Sequence, residues 1–280
     1  MAKKVRLKNK GKSVLSVGLS LFMSLGLMSG NVTSVSAASG AHSYRDTTYG
    51  DVFLGGNFIE IGVSSVGSFG TFSNAPSNFH PTSSSGSRIG MVSNPTGLDN
   101  DWNSITTDYF LPGTIDESFS IGYDKQRQAG GSKIGTSGLQ LNIDETKTET
   151  VNQSSGNHLK AVTTGYTTDK VKFVQTVEFD VNDRYFTTTV QLKNENDNKT
   201  LSGVRYMRAF DPDQKTGKDD GTSSTNNVVG NSKLDPYGTS VFAYGLNDTS
   251  TTPFIFFSAD KRATAGYTTC LLYTSPSPRD

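Results

Sequence analysis

From Lys170 to Val181 apolar and polar side chains alternate: Val171, Phe173, Val177 and Phe179 fall on one side of an extended chain, Lys172, Thr176 and Glu178 on the other. A period of two is the pattern of a strand that buries one face. Asn182 and Asp183 supply a turn, and Arg184 to Asn194 alternates again through Phe186, Thr188, Val190 and Leu192. The two runs predict an antiparallel hairpin with one face on a core. After a polar turn at Glu195–Lys199, Leu201 to Phe210 predicts a third strand, with Val204, Tyr206 and Phe210 alternating against Arg205 and Ala209. The three together predict a meander. Glu178, pointing outward, is expected to pair across the sheet with a Lys or Arg.

Shorter strands are expected at Val52–Leu54, Phe58–Val63, Phe119–Tyr123, Leu139–Ile143, His158–Thr164, Val241–Tyr244 and Phe254–Phe257. No stretch sustains apolar residues at i, i+3, i+4 and i+7, so helices are not expected. Many short strands divided by Gly, Asn and Ser turns predict an all-β domain, a large antiparallel β-sandwich, with a closed barrel as the alternative. Two segments take no clear element. Gly67 to Asp108 is rich in Gly, Ser, Asn and Pro but holds Phe69, Phe72, Phe79 and Trp102, with Tyr109 just after it. Loops of that length are often functional. Gln214 to Leu234 is polar and reads as a mobile excursion.

The ends change the picture of the chain's setting. Residues 1–12 carry six basic side chains and no acid. Residues 13–28 are small or apolar and uncharged, and Val35-Ser36-Ala37 presents small residues before Ala38. Basic, apolar, then small-x-small is the order of a secretory signal peptide, expected over 1–37. The apolar stretch is too short and too rich in Ser and Gly to span a bilayer, and no later run replaces it. The chain formally balances 26 basic against 26 acidic residues, but the leader holds six of the basic ones. The last eleven residues hold one of each, so residues 38–269 are acidic by six charges. That excludes a nucleic-acid footprint. Cys270, in the last eleven residues, is the only cysteine, so disulfides are not expected to hold the body together.

Chemistry is sparse. Asp211-Pro212-Asp213 ends a strand and could offer oxygens to Ca²⁺, but EF-hand spacing fails: Lys215, Thr216 and Thr222 stand where a ligand, glycine and glutamate are required. Turn-capping aspartates are the competing reading. Glu60, Asp116, Glu117, Glu178, Asp211 and Asp213 could supply a glycosidase carboxylate pair, yet no motif selects two of them. There is no G-x-S-x-G elbow and no two-histidine metal spacing. His80 and His158 read as surface or satisfied polar residues. Trp102, Tyr109 and Tyr206 are the candidate ligand-binding aromatics, since such rings can stack on a sugar face; filling the core is the alternative for them.

Gly50 to Val63 (GDVFLGGNFIEIGV), Gly67-Ser68-Phe69-Gly70-Thr71, Phe110-Leu111-Pro112-Gly113 and Val204 to Asp213 (VRYMRAFDPD) together resemble the N-terminal region of large secreted Gram-positive surface proteins, the S-layer and adhesin-like multidomain type. The resemblance spans about 50–215 and brings no catalytic residues. It implies a non-catalytic extracellular module serving adhesion or envelope architecture, exposed at the cell surface and contacting glycans or other surface proteins. A carbohydrate-binding or carbohydrate-active sandwich of the galactose-mutarotase-like kind is the alternative. Cys270 to Asp280 resembles a translated sequencing adapter. The natural body is thus expected over 38–269 as one domain continuing past Thr269, with its last strand left at an unpaired edge.

Overall fold

The computed structural model describes residues 15–21, 40–82, 86–97, 102, 107–111, 117–124, 126–131, 142–210, 215–216, 227–234, 237–245 and 254–266. They form an all-β body with antiparallel pairing throughout and no α-helix among the described residues. Eight strands make the largest sheet. In spatial order these are β15 (Asn227–Leu234), β16 (Gly238–Gly245), β17 (Phe254–Ser258), β1 (Leu15–Leu21), β12 (Thr187–Asn194), β11 (Val171–Asp180), β10 (His158–Tyr166) and β9 (Glu149–Asn152). A six-stranded sheet runs β14 (Lys215–Thr216), β6 (Thr107–Asp108), β5 (Met91–Ser93), β4 (Ile59–Val63), β3 (Val52–Gly55) and β2 (His42–Arg45). The third sheet is β13 (Arg205–Phe210), β7 (Glu117–Tyr123) and β8 (Gln126–Gly131). The sheets are open, without barrel closure, in keeping with the expected sandwich class.

Alternation decides what each strand buries. In β11 every odd position from Val171 to Phe179 is buried and the even ones are partly exposed up to Asp180. One core joins Val52, Leu54, Ile59, Ile61 and Met91 of the six-stranded sheet to Leu159, Ala161, Val177, Phe179, Phe254 and Phe256 of the eight-stranded one. A second core gathers Phe119, Ile121 and Tyr123 of β7 against Phe173, Val190 and Leu192. At about 25 cal/mol per Å² of apolar surface, each buried Phe or Leu stabilises the fold by roughly 2 kcal/mol. The strands β3 and β4 are buried at every position, so their alternation is lost because both faces are covered.

The hairpin β11–β12 pairs as expected, Val171 opposite Asn194 through Glu178 opposite Thr187. The third strand of the expected meander departs. β13 starts at Arg205 and pairs with β7, Arg205 opposite Gly122 through Phe210 opposite Glu117. The meander instead runs β9–β10–β11–β12, its extra strands lying before the hairpin. The expected excursion at Gln214–Leu234 holds β14 and β15, and β15 pairs with β16 over eight residue pairs. A polar sequence forms a strand there because β15 lies at the sheet's margin, where polar side chains are tolerated. The Gly67–Asp108 segment is likewise pinned by β5, β6 and a bridge from Phe69 to Val63. The expected strand Leu139–Ile143 lies outside the described residues except for Asn142 and Ile143, the latter bridging to Thr167.

The last strand among the described residues does not lie at the unpaired edge expected of it. Among the described residues β17 is the last strand, and it lies inside the sheet between β16 and β1. The partner on its outer side comes from the basic, apolar N-terminal segment. The tail 270–280 lies outside the described residues.

Candidate functional site

Among the described residues, two buried clusters of ionisable groups stand out, both held by backbone as much as by side chains. The first is centred on Glu60 of β4, whose side chain is fully buried. Its Oε1 is 2.7 Å from His80 Nδ1, and its Oε2 accepts the His80 backbone N–H at 2.8 Å. Oε1 also lies 3.5 Å from His42 Nε2, beyond a good hydrogen bond. His80 stacks on Trp102 with ring centroids 4.6 Å apart, and His42 meets Phe79 edge-on at 4.4 Å. The His42 ring lies over Gly55, where any Cβ would be 2.1 Å from its Nε2.

His42 Nδ1 sits 3.0 Å from the Gly40 carbonyl, so that nitrogen carries the proton. A neutral ring therefore turns a bare Nε2 toward a carboxylate, and that nitrogen has no hydrogen-bond partner among the described residues. Protonation makes both ring nitrogens donors. Burial pulls the His42 pKa down, but the Glu60 carboxylate and the Gly40 carbonyl outweigh it and the net shift is upward.

The second cluster is a buried ion pair. Arg208 Nε donates to Glu117 Oε1 at 2.7 Å, with both side chains at most 2% exposed. Arg208 also donates to Gln175 Oε1, the Tyr206 hydroxyl and the Gly67 carbonyl, and its guanidinium lies 3.6 Å from the centre of the Phe69 ring. Glu117 Oε2 accepts the Phe69 backbone N–H. Tyr206 donates to Gln175 Oε1 at 2.6 Å, and burial pushes its hydroxyl up to about 12. The network ties β13, β7 and β11 to the Gly67–Phe69 turn.

Two more aspartates are spent the same way. Asp51 accepts from the N–H groups of Ser65, Phe72 and Ser73 and from the Ser73 hydroxyl. Asp108 accepts from the N–H groups of Gly90, Phe110 and Leu111, and burial raises its pKa to about 6 against the pull of those donors.

Of the aromatic candidates, Trp102 is 2% exposed in a core with Phe53, Phe79, Ile89 and Val92, and Tyr109 is fully buried with its hydroxyl 3.1 Å from Ser93 Oγ. Neither presents a ring face to solvent. Tyr206 packs beside Phe119 and belongs to the Arg208 network. The three aromatics therefore serve different parts of the interior. Asp211, Asp213 and Asp116 lie outside the described residues. Glu178 faces Lys160 across the β10–β11 ladder with 3.0 Å between Nζ and carboxylate, as its outward position implies. His158 contacts Asp180 and Glu178 on the same exposed edge. Among the described residues no group of three or more His, Cys, Asp or Glu side chains is placed to hold a metal ion.

Sequence reasoning missed Asp51, Asp108, Arg208 and His42 as organising residues. Arg208 shares the parity of Tyr206 and Phe210, which was the available signal. It also missed the exposed aromatics. Tyr49 and Phe72, each nearly half exposed, meet edge-on at 4.8 Å, on turns fixed by Asp46 and Asp51.

No family model, no curated protein and no solved structure matches this chain.

Proposed function

We propose that this chain is an exported, non-catalytic β-body of a bacterial cell-surface protein, serving adhesion or envelope architecture. The observation that supports it is how the buried acids are used. Asp51, Glu60, Asp108 and Glu117 each bind backbone N–H groups, and Glu117 is further neutralised by Arg208. A catalytic carboxylate must face substrate in a cleft; these four act as internal fasteners. The basic, apolar, small-x-small N-terminus supports export, and no described helix is long and apolar enough to cross a membrane.

The test is expression of the full sequence in a Gram-positive host. The expected product lies outside the cytoplasm, begins at Ala38 and turns over no polysaccharide. Retention inside the cell with Met1 intact, or hydrolysis lost in folded Glu60→Gln or Glu117→Gln, would overturn the reading.

The exposed Tyr49–Phe72 pair favours a second reading, glycan binding. Two ring faces held on hydrogen-bonded turns suit the apolar face of a pyranose. A glycan array separates the two readings: selective binding abolished by Tyr49→Ala while Trp102→Phe leaves it intact would establish the second. Calcium at Asp211 and Asp213 belongs to the same proposal, tested by calcium titration of Asp211→Asn.

A further inference from the structure

The strand at the centre of the largest sheet comes from the segment that export would remove. β1 pairs with β12 over six positions, Leu15 opposite Leu192 through Ser20 opposite Thr187, and reaches β17 through Ser20 opposite Phe257 and Leu21 opposite Phe256. The pairing is in phase with the sequence. Leu15, Val17 and Leu19 stand opposite the buried Leu192, Val190 and Thr188 of β12. Ser16, Gly18 and Ser20 stand opposite Gln191, Thr189 and Thr187 of β12, which are at least partly exposed. A slip of one residue would reverse every position, so the match fixes a register.

Cleavage after Ala37 leaves β12 and β17 facing each other across a gap one strand wide, about 10 Å at the usual spacing of about 4.8 Å between neighbours. Both carry core side chains, and each then presents a row of unpaired backbone groups that must find partners. A second observation bears on what fills the gap. Thr188 is 1% exposed, and its hydroxyl has no hydrogen-bond partner among the described residues. Its cross-strand neighbours are Val177 on one side and Leu19 on the other, and neither side chain can bond it. Leucine, the residue at the register position opposite Thr188, has no group that could satisfy a hydroxyl.

We propose that the processed protein is a strand acceptor. The slot between β12 and β17 takes, in trans, an antiparallel segment of another polypeptide with apolar residues at alternate positions and Ser or Thr opposite Thr188. The ladder supplies affinity, and the alternate side chains with the hydroxyl pair supply selectivity. The proposal rests on the export reading, because the leader must leave for the slot to open.

The test uses the full chain with a protease site placed between Gly30 and Asn31, folded first and then cut. The leader fragment is expected to stay with the body through gel filtration. A peptide of sequence SVLSVGLSLFM, matching residues 13–23, should displace it, and a version with Thr in place of Leu19 should do so about tenfold more tightly, the worth of one satisfied buried hydroxyl. Thr188→Val should erase that preference while leaving the parent peptide bound. A fragment that departs to leave a monomer with unchanged unfolding and no affinity for either peptide would overturn the proposal. So would equal displacement by a scrambled peptide. N-terminal sequencing of secreted material tests export separately: a start at Met1 sinks the export reading whatever the exchange experiment gives.

Discussion

At the scale of single residues, the interior depends on the Glu117–Arg208 pair. Each charge is desolvated, and each is compensated by the other and by fixed hydrogen bonds. Removing one partner strands the other, which typically costs 3–5 kcal/mol, whereas replacing both by apolar groups of similar volume is often tolerated. Arg208→Ala or Glu117→Ala should therefore lower stability by about 3–5 kcal/mol, read as a fall in the urea midpoint at unchanged slope. The double change Arg208→Met with Glu117→Leu should recover at least half of that loss. Equal destabilisation by the double and single variants would show that the surrounding hydrogen bonds, rather than the charge pair, carry the energy. The partly exposed pair Lys160–Glu178 is the contrast: both groups keep contact with water, and Lys160→Ala should cost no more than about 1 kcal/mol.

At the scale of elements, the turn into β16 depends on one position. Gly238 has φ +140°, and a Cβ there would sit 2.1 Å from the Ser258 carbonyl oxygen on the neighbouring strand. Gly238→Ala should cost roughly 2 kcal/mol or more through strain and displaced pairing. Amide exchange should report loss of protection in β16 and β17 while β10–β12 stay protected. Protection lost evenly across the sheet would mean that the turn is not a local fastener. Elements with a strict period of two were legible in the sequence: β11 and β12 fall within a few residues of their expected bounds, because only one face of each is buried. Their neighbours were less legible. β13 alternates less cleanly than β12, with Arg208 on the side of Tyr206 and Phe210, and periodicity in any case says which side is buried and not which sheet accepts the strand. β15 has only Val228, Val229 and Leu234 among polar residues and glycine, too few to mark a buried face. The candidate site was least legible, since Trp102 in a polar run reads as exposed, and nothing local shows that His80 and a third core close over it.

At the scale of the whole molecule, several perturbed groups set the pH of greatest stability together. Asp108 titrates near 6 in the folded body, above its ordinary value of 3.8, because burial opposes its charge. The unfolded chain sheds that proton first, so folding is weakened as pH rises from about 4 through 6, by an order of 2–3 kcal/mol for a shift of this size. His42 works in the same direction: its raised value means stability that is present below about 6.5 and lost as pH climbs through the folded value. Opposing both, Glu178, paired with Lys160, and Asp260, held near 2 by Arg262, contribute stability above their ordinary values that is lost on acidification. The two sets leave a window between about pH 4.5 and 6 in which Asp108 is protonated, His42 charged and the surface carboxylates still ionised. Thermal unfolding should therefore peak in that mildly acidic range, with the midpoint falling toward pH 8 and again below pH 4. Asp108→Asn supplies the check, because it removes the carboxyl titration while keeping the shape. The gap in stability between parent and variant should widen in the parent's favour by about 2–3 kcal/mol from pH 7 to pH 4.5. A gap independent of pH would mean that the Gly90, Phe110 and Leu111 N–H groups hold Asp108 ionised throughout, and the acidic optimum would then rest on His42 and on His158, whose pKa Asp180 and Glu178 raise as well.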